Sequence, residues 1–432
     1  MFSVSSLKCF WSRKYSACAF TLFFASAVAL APTWSCPVDE EDFASQRSLN
    51  FLAYRGDGNT INDVDAHESE VSEDKDATEM INSCKKLAEQ GDAKAQFFIG
   101  RCYYYGQGVT KDCSEAVKWF RMSAEQGNTD AQVLLGVCYT CGDGVTEDHT
   151  EAMRWFRMSA EQGNANAQLM LGLGYYNGDG VTEDHTEAMK WFRKSAEQGN
   201  AFAQFMLGTG YSKGNGVEQD YVEAVKWLRK SAEQDYADGQ NGLGDCYYYG
   251  NGVEQDYAEA VKWFRKSAEQ GNASAQYSLG FCYFRGNGLT KDYDEAVQWF
   301  RKSAEQYDAD AQFMLGICYL SGCGVAEDFA EAVKLCKRSA EKGNAGAQAF
   351  IGLCYYSGNG FTKDYVEAVK WFRKSAEQGN AVGQLRLADC YFYGNGVDKD
   401  YAEAVKWYKK SAELGDEDAK AKLLELKKLG FE

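Results

Sequence analysis

Hydrophobic residues recur along most of this chain with a period of 36 residues. Tryptophan marks the period at Trp119, Trp155, Trp191, Trp227, Trp263, Trp299, Trp371 and Trp407. Leu335 fills the one vacant position on this lattice. A strict period of this length is typical of a repeat array, in which each unit packs mainly on its neighbours and a long surface replaces a single pocket.

Each unit contains two stretches with helical spacing of apolar residues. In the first unit they predict helix A at Ala95, Ile99, Gly100 and Tyr103, and helix B at Ala116, Val117, Trp119 and Phe120. We expect Gly100 to let the two helices approach closely. Gly106-Gln107-Gly108 separates them, and glycine there supplies backbone angles that other residues resist. No strand precedes this loop and no Lys-Ser/Thr follows it, so a turn is favoured over a phosphate-binding loop.

The helix ends carry their own signals. Asp112 and Glu115 predict a capping box at the start of helix B, in which each side chain accepts from the other residue's backbone N–H. Glycine ends helix B, as at Gly127. In one unit Tyr307 replaces this glycine, and we expect local strain there. Nine such units fill residues 93–415, with capping helices expected at 79–92 and 416–432.

The segment before the array has a different character. Residues 1–31 combine a basic start with a short apolar stretch and small-x-small cleavage sites, which predicts a secretory signal peptide. The alternative is an uncleaved membrane anchor at residues 15–38. Residues 32–78 are acidic and lack helical periodicity, which predicts a flexible linker. Residues 57–68 partly match a calcium loop, but Ile61 and Asn62 occupy a ligand position and the turn-glycine position.

The formal net charge of −17 makes nucleic acid an unfavourable partner, because an acidic array repels phosphate. The expected partner is a protein or peptide, with a membrane contact only if the signal segment is kept as an anchor.

The unit closely resembles the Sel-1-like repeat, a relative of the tetratricopeptide repeat, best seen in residues 165–200 and 273–307. The resemblance implies an all-α fold: a right-handed α/α solenoid superhelix of nine 36-residue helix-turn-helix repeats. It also implies adaptor work, since family members assemble complexes or mediate contacts between cells. It does not choose a partner, because a fold does not fix a function.

Fifteen cysteines in an exported chain raise the question of disulfides. Seven of them occupy one helix A position, at which equivalent residues lie too far apart to pair, so we interpret these seven as small apolar fillers. Two additional cysteines replace the Phe after Trp and are placed to bridge successive helices. The candidate pairs are Cys84–Cys102 and Cys336–Cys354.

An enzymatic alternative comes from a secreted, cysteine-rich branch of the same repeat family, which is associated with penicillin binding and β-lactam hydrolysis. Ser83 and Lys86 match the Ser-x-x-Lys motif once, without its companion motifs, and we interpret them as helix surface. No nucleophile–base pair and no metal motif emerges. We therefore expect neither a catalytic site nor a cofactor.

A set of helix A positions varies between units and shares one face, because their spacing is i, i+4, i+7. We call this set the variable stripe and expect it to line a concave groove for an apolar or amphipathic ligand. The alternative is that its side chains are buried between units. The predicted ligand-binding residues are Phe97, Arg101, Tyr104, Val133, Val137, Leu169, Leu173, Tyr176, Phe205, Asn241, Asp245, Tyr248, Tyr277, Phe281, Phe313, Ile317, Leu353, Tyr356, Leu385, Asp389 and Phe392.

Overall fold

The computed structural model describes residues 73–428 together with 430 and 431. The predicted signal peptide, the alternative anchor and the calcium-loop match lie outside these residues, as does the linker up to residue 72. The described part of the chain contains twenty α-helices and no strand. In it, no helix combines the length and apolar character that crossing a bilayer requires.

The helices form two compact groups, divided between Gln255 and Asp256. The first group comprises α1 (Glu73–Glu89), α2 (Ala93–Tyr105), α3 (Cys113–Glu125), α4 (Thr129–Cys141), α5 (His149–Glu161), α6 (Ala165–Asn177), α7 (His185–Glu197), α8 (Ala201–Lys213), α9 (Tyr221–Glu233) and α10 (Ala237–Tyr249). The first helix begins at Glu73, ahead of the predicted start at 79.

The second group comprises α11 (Tyr257–Glu269), α12 (Ala273–Arg285), α13 (Tyr293–Glu305), α14 (Ala309–Ser321), α15 (Phe329–Glu341), α16 (Ala345–Ser357), α17 (Tyr365–Glu377), α18 (Ala381–Tyr393), α19 (Tyr401–Glu413) and α20 (Glu417–Lys428). Within each group every helix packs on the next one along the chain, as expected for an α-solenoid of helix pairs.

The repeated glycines permit close backbone contacts. A Cβ built on Gly100 would lie 2.6 Å from the Phe120 ring, which confirms the expected close approach of helices A and B. Gly144, the second glycine of its loop, has a φ of 73° and faces a carbonyl of the preceding unit. Its Cβ would lie 2.2 Å from the Cys113 oxygen. Gly-x-Gly therefore serves both the turn and the stacking of units.

The capping box forms only in part. The Glu115 backbone N–H donates to the Asp112 carboxylate at 3.0 Å, as predicted. The Asp112 N–H donates to the carbonyl of Tyr103 in helix A, so the predicted acceptance by Glu115 is wrong. In the next unit the equivalent glutamate bonds to a side chain of its own helix instead. Glu151 accepts a hydrogen bond from the Trp155 indole N–H at 2.9 Å.

Tryptophans of the array pack into the unit that precedes them. Trp155 of α5 lies in one core cluster with Val117 and Phe120 of α3, and Trp119 of α3 clusters with Ile81 of α1. An aromatic ring shared between successive units contributes a few kcal/mol to their interface. This sharing explains why the tryptophan recurs so strictly.

Buried polar side chains join the units as well. The Ser159 hydroxyl donates to the Thr129 carbonyl at 2.9 Å, closing its unit between helices B and A. The Gln132 amide donates to the Ala124 carbonyl of the preceding helix B, and Gln162 donates in turn to Gln132. These bonds satisfy the buried serine hydroxyls and glutamine amide N–H groups inside the stack, whereas the Oε1 atoms of Gln312 and Gln384 have no partner among the described residues.

Candidate functional site

The variable stripe divides into three classes by exposure. The buried members are Tyr104, Val133, Val137, Leu173, Asn241, Phe313, Ile317, Leu385 and Phe392. The half-buried members are Phe97, Leu169, Tyr176, Phe205, Asp245, Tyr248, Tyr277, Phe281, Leu353, Tyr356 and Asp389. Arg101 alone is exposed.

The buried apolar members belong to the core between units. Val133 and Val137 join the cluster around Phe156, and Phe313 and Ile317 join the cluster around Cys336. The alternative that part of the stripe packs between units therefore applies to them. The half-buried members and Arg101 are the ones whose side chains reach the surface.

Stripe tyrosines bind the loop of the following unit, a relationship that the sequence analysis missed. The Tyr104 hydroxyl donates to the Asp143 carboxylate at 2.8 Å, and the Asn395 amide donates to the Tyr356 hydroxyl at 2.8 Å. Asp143 and Asn395 are the middle residues of Gly-x-Gly loops. Burial and the bond to Asp143 raise the pKa of Tyr104. The signal in the sequence is a Tyr followed 39 residues later by Asp or Asn.

The aromatic stripe side chains also contact the first residue of helix B. The ring centroids of Tyr176 and His185 lie 4.7 Å apart, and those of Tyr356 and Tyr365 lie 4.9 Å apart. These ring pairs are edge-on. Within each group they extend the half-buried surface from helix A towards the start of helix B.

In the first group the stripe is interrupted by two polar side chains on α10. Asn241 is 9% exposed, and its Oδ1 has no hydrogen-bond partner. Asp245 lies one turn further on, on the same face. Desolvation by burial raises the pKa of the Asp245 carboxyl to about 7.

In the second group the same position as Asp245 is filled by Asp389, whose charge is balanced. The Arg386 guanidinium donates to one carboxylate oxygen of Asp389 at 2.9 Å, and the Tyr408 hydroxyl donates to the other at 2.7 Å. The position of Arg386 is occupied by Gly242 in α10, so α10 itself brings no equivalent cation.

The two candidate disulfides are not formed in the structure. Cys84, Cys102, Cys336 and Cys354 are free thiols, as are the other cysteines of the described residues. Burial raises the pKa of Cys354 to about 12 and that of Cys336 further. Burial likewise raises the pKa of Cys102. Such thiols stay protonated at neutral pH and behave as small apolar side chains, as expected for the recurring cysteines of helix A.

The remaining candidate catalytic residues do not come together in one site. Ser83 lies on the exposed surface of α1. The recurring serines, such as Ser159, are buried and donate to carbonyls. Within residues 81–428, no three potential ligands of the His, Cys, Asp or Glu type cluster in a way that holds a metal ion.

Known proteins match the whole array. The Sel1 repeat family model matches nine consecutive segments, 93–128, 129–164, 165–200, 201–236, 237–272, 273–308, 309–344, 345–380 and 381–416. The crystal structure of c5321, a protective antigen of uropathogenic Escherichia coli strains with an SLR fold, is similar at 38% identity and a TM-score of 0.68. That match covers 90% of this chain and 81% of the other.

A Sel1 repeat protein from Oxalobacter formigenes is similar at 29% identity with a TM-score of 0.51. It matches over 85% of this chain and 98% of its own length. A search of the curated proteins found no match.

Proposed function

This chain belongs to the Sel1 repeat family, and we propose that it is an exported interaction scaffold that binds a protein or peptide ligand along the half-buried part of the variable stripe. One observation carries the proposal. The positions that build the helix pairs are nearly constant from unit to unit, whereas the half-buried stripe positions change while staying largely apolar. Phe97, Leu169 and Phe205 show this in the first group.

The stripe side chains are held in place before a ligand arrives. The Phe205 ring lies 5.7 Å from the Tyr236 ring and 6.4 Å from the Phe202 ring, between centroids. Tyr277 and Phe281 are similarly close in the second group, with centroids 6.0 Å apart. Pre-ordered aromatic side chains lose little conformational entropy on binding, which is typical of interface anchors.

The exported part of the proposal rests on residues 1–31, and the ligand part rests on the surface of the two helix groups. An interaction scaffold needs neither cofactor nor metal. The hydrolytic alternative has no such support, because Ser83 lies on open helix surface. A β-lactam turnover assay on the purified chain tests it directly, and hydrolysis that survives Ser83→Ala and further purification would point to a site elsewhere.

Site-specific photo-crosslinking tests the binding surface. A photoreactive amino acid replaces Phe205 or, separately, Phe281, and the chain is irradiated in the compartment where its mature form accumulates. We expect both positions to trap one defined protein. Met122 and Val366 are 38% and 55% exposed on helices B and serve as matched controls.

Equal trapping at Met122 and Val366 would contradict a role for the stripe. A folded chain that traps nothing at Phe205 or Phe281 would contradict the proposed function. Circular dichroism of each variant establishes that it is folded.

A further inference from the structure

We propose that Asn241 and Asp245 form a site on α10 that receives a basic side chain, an ammonium or guanidinium group, from the segment that docks on the stripe. The inference rests on the proposed function and specifies the chemistry that the ligand must bring to the first helix group.

The two residues are acceptors at positions where the four preceding units have no carboxylate or amide side chain. The position of Asn241 holds Phe97, Val133, Leu169 and Phe205 in the four preceding units. The position of Asp245 holds Arg101, Val137, Leu173 and Thr209. Unit five is the one unit of the first group with two acceptor side chains, one turn apart, on this face.

Neither acceptor has a hydrogen-bond or ion-pair partner within the described part of the chain. The Oδ1 of Asn241 is buried without a hydrogen bond. Asp245 is the partly buried acid whose pKa is raised by desolvation alone, with no cation lowering it. A buried acceptor that is left unsatisfied costs free energy of folding, and a desolvated carboxylate costs more. An external donor of positive charge removes both costs.

Helix α18 shows which chemical group balances an aspartate at this position. Asp389 occupies the same position four units later and is balanced by Arg386, three residues before it, with a distance of 2.9 Å. In α10 the residue three positions before Asp245 is Gly242, which has no side chain. In α18 the guanidinium comes from the protein's own Arg386. In α10 a ligand has to supply it.

The helix around this pair is weakly supported, as is common at binding sites. Tyr236 at its N-cap makes no side-chain capping bond, whereas Asn200 caps α8. Asp235, just before it, has a left-handed φ of 59°. α10 also packs on α8, the helix that carries the apolar stripe residue Phe205. The net charge of −17 further favours a cationic ligand.

An array of immobilised heptapeptides with randomised apolar flanks tests the site. The central residue is Arg, Lys, citrulline or Glu, and the full-length chain is applied as the probe protein. We expect Arg- and Lys-centred peptides to retain the chain at least about tenfold better than their citrulline counterparts, because a charge-assisted bond in a desolvated site discriminates by that much.

Two variants remove the site in different ways. Asn241→Leu with Asp245→Val gives unit five the apolar pattern of units two and three, and Gly242→Arg supplies an internal cation like that of α18. Each should abolish the preference for a basic centre while apolar peptides still bind. Glu233→Gln is the matched control, since that carboxylate is exposed on α9 outside the stripe, and it should leave the preference unchanged.

The outcomes separate the two proposals. Binding of apolar peptides without preference for a basic centre overturns this site and leaves the stripe proposal standing. A preference that persists in both the Asn241/Asp245 double variant and Gly242→Arg also overturns it. A folded chain that retains no peptide of any class overturns both proposals.

Discussion

The Tyr104 hydroxyl donates to the carboxylate of Asp143, 39 residues further along the chain, at 2.8 Å. This bond joins helix A of one unit to the Gly-x-Gly loop of the next. It gives the stripe tyrosines a role in holding successive units together, in addition to any contact with a ligand. The same side chain is 4% exposed, so the bond lies where water competes little for it.

Tyr104→Phe should therefore weaken the interface between the first two units. The change removes only the hydroxyl, and the loss of one part-buried bond to a charged group costs roughly 1.5–3 kcal/mol. Urea unfolding, with tryptophan fluorescence as the signal, measures the effect. Tyr105→Phe, on the neighbouring half-buried position, is the control and should change the free energy of unfolding little. Equal effects of the two changes would mean that the bond adds no stability.

Tyr307 is a position at which a substitution should increase the free energy of unfolding. It takes the place of the helix-ending glycine, with a φ of 68°, and its side chain is 67% exposed. Tyr307→Gly should raise the free energy of unfolding by about 1 kcal/mol, because a bulky residue is strained in this backbone region. Gly271→Ala is the reciprocal change at a φ of 96° and should lower it. A loss of stability in Tyr307→Gly would show that the ring contributes more than the strain costs.

The sequence predicted these backbone features because they depend on local chemistry. The glycine at position 100, the aspartate cap at 112 and the strain at Tyr307 each follow from one residue and its immediate neighbours. The side-chain partners could not be predicted in the same way. Glu115 and its equivalents choose among several nearby donors, and Tyr104 finds its acceptor in another unit, so both depend on how the helices pack.

The stripe shows the same limit. Helical spacing placed its residues on one face correctly, yet Val133 and Phe205 follow the same pattern while only Val133 is fully buried. Exposure is set by the side chains of neighbouring units, which periodicity does not report. The lack of a partner for Asn241 is likewise visible only in three dimensions.

The nearest-neighbour character of the array predicts how damage spreads. Trp155→Ala removes a ring that is 3% exposed and shared with the preceding unit, and should cost roughly 3–5 kcal/mol locally. Hydrogen exchange should rise mainly in α3, α4 and α5, since each unit depends on its neighbours. Uniform acceleration across α1–α10 would contradict this description. Met158→Ala, at an exposed position of the same helix, is the control.

The proposed signal peptide predicts a shortened mature chain. Mass spectrometry of exported protein should find a first residue near Leu30 or Pro32, because small residues precede both positions. An intact Met1 in the membrane fraction would instead support the anchor at residues 15–38. A Leu22→Arg change interrupts the apolar stretch and should leave the chain unprocessed in the producing cell.

The unpaired acid at Asp245 predicts a specific dependence of stability on pH. Burial raises its folded-state pKa to about 7, above the ordinary value of 3.8. The folded state therefore holds this proton more tightly than the unfolded state. As the pH rises from about 4 to about 7, the unfolded chain ionises first and the stability of α10 falls; above pH 7 the loss is constant.

Asp245→Asn removes this titration. Its effect should be small at pH 4, whereas at pH 8 the variant should be more stable than the wild-type chain by about 2 kcal/mol, measured as slower amide exchange in α10. Asp389→Asn should have the opposite effect at pH 8, because it breaks the ion pair with Arg386. If Asp245→Asn destabilises α10 at pH 8, the carboxylate already has a favourable partner in the free protein. The cation that we assign to the ligand would then have no reason to bind there.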